Sequence, residues 1–163
     1  MKTILRSAVL LLALAVAACG RKHDHDHAGH DHDHSATHTH VAPHGGTGVM
    51  LGEHEFNLEF VRDATAGTLT AYVLDAHMEN FVRLPAPGFE VIATVNGVRQ
   101  PLALGAVGSP ATGETIGDTA QFEAQADWLK TTAEFDAVIP AITVRGVTYT
   151  DVKFNFPHGN EAH

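Results

Sequence analysis

Short segments in which apolar and polar residues alternate constrain the fold of this chain more than any other feature. In residues 54–62, HEFNLEFVR, the apolar residues Phe56, Leu58 and Phe60 are separated by single polar residues. A period of two places the apolar side chains on one face of an extended strand. Segments with a comparable strand pattern follow at residues 68–77, 89–95, 98–104, 120–126, 133–144 and 147–156.

Turn residues separate these segments and indicate tight connections. DATAG at 63–67 ends in glycine, and Asn96-Gly97 is a strong hairpin signal. The sequence contains no convincing amphipathic helix, and DWLK at 127–130 predicts only a helical turn. Pro140 interrupts an apolar run, which predicts an edge position or a bulge. These signals predict an all-β domain over residues 44–163, a single antiparallel β-sandwich of the immunoglobulin-like type.

The first eighteen residues are typical of an export signal. Lys2 and Arg6 precede the apolar stretch AVLLLALAVAA, which is too short to span a membrane. VAAC then places small residues directly before Cys19, which resembles the signal of a bacterial lipoprotein, cut before a lipid-modified cysteine. Gly20 after that cysteine favours the outer membrane by the same resemblance. The alternative is an ordinary secretory signal followed by a chance cysteine.

The charge of the remaining chain favours cations as partners. Residues 19–163 keep 8 basic and 19 acidic side chains, a formal charge of −11 with neutral histidines. This charge argues against binding to nucleic acid or to anionic lipid headgroups. Cys19 is the only cysteine, so the chain has no internal disulfide.

A His/Asp-rich arm follows the signal at residues 19–43, and it contains RKHDHDHAGHDHDHSATHTH. Without apolar periodicity it is expected to be disordered. Imidazole and carboxylate groups bind divalent transition metals, so we expect an arm that collects Zn²⁺, or alternatively Ni²⁺ or Cu²⁺, with modest affinity. It resembles the His/Asp-rich loops of periplasmic zinc-binding proteins of zinc importers. A pH-responsive arm is the alternative. The candidate ligands are His23, His25, His27, His30, His32, His34, His38 and His40.

A second candidate metal site follows from the hairpin formed by residues 54–62 and 68–77. If Asp63 and Thr68 close a four-residue loop, paired residue numbers sum to 131, and His54 faces His77. Asp75, two residues earlier on the same strand face, could supply a third ligand or orient an imidazole. A register shifted by one residue would separate the two histidines, and apolar pairing does not exclude it.

His44 and His158 complete the candidate ligands, because both lie at the ends of predicted elements. The segment 44–77, with HGG, LGEHEFNLE and YVLDAH, resembles small bacterial periplasmic proteins and modules associated with heavy-metal efflux adaptors. DVKFNFPHGN at residues 151–160 has a similar character. The resemblance implies a metal-related periplasmic role for His44, His54, Asp75 and His77.

Two functions from different classes follow from these observations. The first is a lipid-anchored periplasmic protein that buffers or delivers metal, in contact with an efflux or uptake system. The second is an envelope protein-interaction module with a pH- or metal-sensitive tether. An enzyme is not expected, because the sequence offers no nucleophile beside a base and no phosphate-binding loop.

Overall fold

The computed structural model describes residues 41–161, and β-strands make up most of this range. The signal sequence, Cys19 and the arm histidines lie outside it, so the interpretations made for them remain predictions. The strands are β1 (Thr47–Leu51), β2 (Phe56–Asp63), β3 (Thr68–Asp75), β4 (Gly88–Val95), β5 (Val98–Ala106), β6 (Gln121–Gln125), β7 (Phe135–Val144) and β8 (Val147–Phe156).

The predicted all-β antiparallel class is confirmed. All eight strands hydrogen-bond into one nearly closed sheet, in the order β1-β2-β3-β6-β5-β4-β7-β8. The predicted sandwich implied two separate sheets, whereas here β6 joins β3 to β5 and makes the hydrogen bonding continuous. The sheet encloses one apolar core to which every strand contributes. Because a twisted sheet is curved, a single sheet can bury the apolar core that a sandwich would bury between two sheets.

The local predictions agree closely with the observed elements. Residues 127–130 form a 3₁₀ turn, and β8 covers the predicted residues 147–156. Pro140 lies beyond the part of β7 that pairs with β4, Asp136–Val138, so it occupies a local edge. Strand β1 was not among the predicted strands. No helix within residues 41–161 is long and apolar enough to cross a membrane.

The two ends of the strand order approach each other and nearly close the sheet. The Asn160 side chain accepts a hydrogen bond from Met50 N at 2.7 Å and donates one to Met50 O at 3.0 Å. Near the start of β8, the Tyr149 hydroxyl donates to Glu55 Oε2 at 2.6 Å. Side chains therefore connect β8 and the turn after it to β1 and the β1–β2 turn.

The outer face of β2 is covered by other parts of the chain. Leu58 and Phe60 point into the core, yet Asn57 and Glu59, which alternate with them, are also buried. Asn57 Nδ2 donates to Ala76 O at 2.9 Å, in the loop after β3. Glu59 lies under residues 44–46, which immediately precede β1. This covering creates the site described below.

Candidate functional site

Glu59 is a fully buried carboxylate with its hydrogen bonds satisfied by the segment that covers it. Its exposed fraction is 0%. Oε1 accepts hydrogen bonds from His44 N and Gly46 N, both at 2.8 Å, and Oε2 lies 2.8 Å from His44 Nδ1. A buried carboxylate is costly unless it is hydrogen-bonded. These contacts meet that requirement and attach the start of the domain to the outer face of β2.

The imidazole of His44 is held from two directions. Its ring stacks on Tyr72 with centroids 3.9 Å apart and planes 15° apart, and Phe81 lies 5.9 Å away. Because Nδ1 is engaged by Glu59, Nε2 is the nitrogen through which the ring can bind a ligand. The side chain is 37% exposed. A carboxylate on one ring nitrogen is the usual support of a metal-binding histidine, since it sets the tautomer and the ring orientation.

Tyr72 contributes a neutral hydroxyl to this cluster. Burial raises the pKa of its phenol, and the negative charges of Glu59 and Glu123 raise it further. The phenol therefore stays protonated well into the alkaline range. We refer to His44, Glu59, Tyr72 and Phe81 as the His44 cluster.

The predicted pairing of His54 with His77 is only partly realised. The register of β2 and β3 matches the prediction, with Leu58 opposite Val73 and Phe56 opposite Asp75. The ladder ends at that last pair. His54 lies in the turn before β2 with a positive φ of 62°, and both histidines are exposed. The two imidazoles are therefore not a directly opposed strand pair, because the backbone leaves the extended conformation before reaching them.

Asp75 uses its carboxylate within its own loop. Oδ1 accepts hydrogen bonds from Glu79 N at 2.9 Å and Asn80 N at 3.3 Å, and Oδ2 accepts one from Asn80 Nδ2 at 2.6 Å. The Asn80 amide is the main cause that lowers the pKa of Asp75, with smaller contributions from backbone N–H groups. The observed role of Asp75 is to shape the loop after β3.

The predicted ligands are spread over the segment before β1, the β1–β2 turn, the end of β3 with its following loop, and the turn after β8. His158 is exposed in the turn after β8, next to the glycine and asparagine that contact β1. Within residues 41–161, no group of three or more His, Cys, Asp or Glu side chains is placed to hold a metal ion. The structure thus brings His44, His54, Asp75, His77 and His158 into no common cluster in the part it describes.

Sequence reasoning missed Glu59, Tyr72 and Phe81. Alternation along β2 assigned Glu59 to the face opposite the core, which is correct, but nothing local shows that residues 44–46 cover that face. The nearest signal is the HGG sequence at 44–46, which permits a close backbone approach. A Cβ added to Gly46 would lie 2.5 Å from Phe60 O.

Comparisons with known proteins do not assign the chain to a family. No family model matches it, and neither the curated proteins nor the solved structures give a significant match.

Proposed function

We propose that this protein binds divalent transition metal ions at the periplasmic side of the bacterial cell envelope. It would be anchored through a lipid on Cys19, with the outer membrane as the expected location. Zn²⁺ is the expected ion, and Ni²⁺ and Cu²⁺ are the alternatives. The protein would act as a metal buffer or chaperone for an uptake or efflux system.

The arrangement of His44 is the observation that carries this proposal. Three features coincide: Nδ1 is occupied by a buried carboxylate, the ring is fixed by stacking on Tyr72, and the side chain is partly exposed. A hydrogen bond from Nδ1–H to Glu59 leaves the Nε2 lone pair available for a metal ion. His44 also directly follows the arm, which ends at residue 43.

The arm and His44 would have different roles in metal binding. Arm histidines offer many ligands, but each bound ion requires ordering of the chain, which limits affinity. His44 is already oriented, so its contribution to binding carries less of that entropic cost. We therefore expect His44 to contribute more to the affinity for a bound ion than any single histidine of the arm.

Calorimetric titration of the mature protein with Zn²⁺ tests the proposal. Replacing the eight arm histidines with asparagine should remove most of the bound ions. His44→Asn should weaken the tightest ion by about tenfold or more, the range seen when supporting residues of metal ligands are lost. His54→Asn is the matched control, since His54 is also an exposed histidine but lies in the turn before β2.

Two outcomes would contradict the proposal. Unchanged stoichiometry in the arm variant would show that the arm does not collect metal, and would favour the interaction module with a sensitive tether. Weaker binding in His54→Asn but not in His44→Asn would move the domain site from the His44 cluster to the end of the β2–β3 hairpin.

A further inference from the structure

A cavity of about 400 Å³ opens beside the His44 cluster, and metal binding does not account for it. Its lining combines an aromatic pair, Tyr72 and Phe81, with polar side chains that include Arg83, Glu114 and Gln121, and we call these two sets the aromatic wall and the polar wall. Its volume is within the range of small-molecule sites, which combine apolar walls with a few convergent polar groups. The nature of the two walls indicates the kind of ligand it fits.

The aromatic wall presents ring surface rather than charge. The centroids of Tyr72 and Phe81 are 6.1 Å apart, with planes 57° apart. Phe81 is 52% exposed, so its ring is accessible to a ligand. Such surface binds the apolar face of a ligand, and the neutral Tyr72 hydroxyl adds a hydrogen-bonding group.

The polar wall is an ion-pair network that is already formed. Arg83 Nη2 donates to Thr112 O at 2.6 Å and Nη1 donates to Asp118 Oδ2 at 3.2 Å, while Nε lies 4.0 Å from Glu114 Oε1. Glu114 accepts hydrogen bonds from Thr112 Oγ1 at 2.5 Å and Ala120 N at 2.8 Å. These polar groups are therefore held in place before any ligand arrives.

Hydrogen bonds of Thr119 fix the loop that carries this wall to neighbouring segments of the domain. Thr119 is fully buried, and its hydroxyl donates to Val107 O at 2.7 Å. Leu84 N donates to Thr119 O at 2.9 Å, which ties the loop to the segment that carries Arg83. Because this loop is already ordered, binding of a ligand has a smaller entropic cost.

The balance of charge selects against ionic ligands. Arg83 carries one positive charge beside the two negative charges of Glu114 and Asp118, so the network repels an anion, and a cation would have to compete with the guanidinium that already pairs with both carboxylates. The charged groups still form strong hydrogen bonds with neutral hydroxyls. A ligand with one apolar face and an edge of hydroxyl groups satisfies both walls.

We propose that this cavity binds a neutral pyranose sugar, with its C–H face on Tyr72 and Phe81 and its hydroxyls toward Arg83, Glu114 and Gln121. This site shares Tyr72 and Phe81 with the His44 cluster, but it does not use His44 or Glu59 and does not depend on the proposed metal function. It would give the protein a second ligand next to the His44 cluster.

NMR titration of the ¹⁵N-labelled mature protein tests this proposal. The probes are glucose, N-acetylglucosamine and their β-1,4-linked disaccharides, with tetramethylammonium and acetate as charged comparisons. At least one sugar should give saturable shifts of the Tyr72, Phe81 and Gln121 amides, with a dissociation constant on the order of 1 mM. Phe81→Ala and Gln121→Ala should each weaken this binding about tenfold.

Val98→Ala is the matched control, because Val98 is 57% exposed but lies in the β4–β5 hairpin. It should leave the sugar affinity unchanged. The proposal is overturned if no sugar gives saturable shifts, or if tetramethylammonium or acetate binds more tightly than every sugar. Undiminished binding in both Phe81→Ala and Gln121→Ala would also overturn it.

Discussion

At the scale of single residues, Glu59 is the most informative side chain. It alternates with core residues along β2, as a solvent-facing residue would, yet its exposed fraction is 0%. Three hydrogen bonds from two residues of the covering segment compensate for its burial. The same bonds fix the His44 ring, so one residue links the stability of the domain to the geometry of the candidate site.

Glu59→Gln should destabilise the protein. An amide keeps the shape of the side chain, but it loses the negative charge and turns one acceptor into a donor. Losing a hydrogen bond to a charged group and leaving a buried donor unsatisfied have similar energetic costs. We therefore expect Glu59→Gln to lower the unfolding free energy by about 2–3 kcal/mol. Urea denaturation measures it.

The control for this prediction is Glu90→Gln, because Glu90 is an exposed glutamate on β4. That change should stay within about 0.5 kcal/mol of the wild type. Equal effects of the two substitutions would show that the buried carboxylate contributes no more to the unfolding free energy than an exposed one.

At the scale of elements, the register of the β2–β3 hairpin follows from local sequence, whereas the ends of its strands do not. The four-residue loop predicted the observed register, in which Phe60 lies opposite Ala71. The predicted strands continued to His54 and His77, but the real ones end at Phe56 and Asp75. Asp75 ends its strand by accepting hydrogen bonds from Glu79 and Asn80, a side-chain interaction that alternation does not reveal.

Acid should destabilise the folded conformation of the loop after β3. The pKa of Asp75 is lowered from 3.8, so its carboxylate stabilises the folded state above about pH 4, and this contribution disappears as pH falls through the lowered pKa. Asn80→Ala should raise the pKa of Asp75 toward 3.8. Carboxyl ¹³C NMR over the acid range measures the midpoint.

Asp63 is the internal control for this titration. Its pKa is lowered by the backbone N–H groups of Ala66 and Thr65, which Asn80 does not touch. Its midpoint should be the same in both proteins. An Asp75 midpoint that does not move in Asn80→Ala would contradict the assigned cause.

At the scale of the whole molecule, closure of the sheet depends on residues far apart in sequence. Asn160 reaches Met50 across 110 residues, and Tyr149 reaches Glu55 across 94. Burial, followed by the hydrogen bond to Glu55 and its charge, raises the pKa of Tyr149 to about 12. The two side chains connect the last strand and its following turn to the first part of the domain.

Asn160→Ala should loosen this closure. It removes the acceptor for Met50 N and the donor for Met50 O, so we expect a loss of about 1–2 kcal/mol and faster hydrogen exchange of the Met50 amide. Asn160→Asp keeps only the acceptor and should fall between the two proteins. Wild-type exchange of Met50 in Asn160→Ala would show that the closure has another origin.

The sequence by itself determined the β class and the approximate positions of seven strands, and the length of the β2–β3 loop favoured the observed hairpin register. These features follow from a period of two and from turn residues, which act within a few positions of the chain. Only the tertiary structure decided that the strands form one nearly closed sheet, that Glu59 is buried, and that no group of three or more potential metal ligands forms within residues 41–161. Those outcomes depend on segments distant in sequence covering one another, and burial of that kind leaves no local periodicity to read.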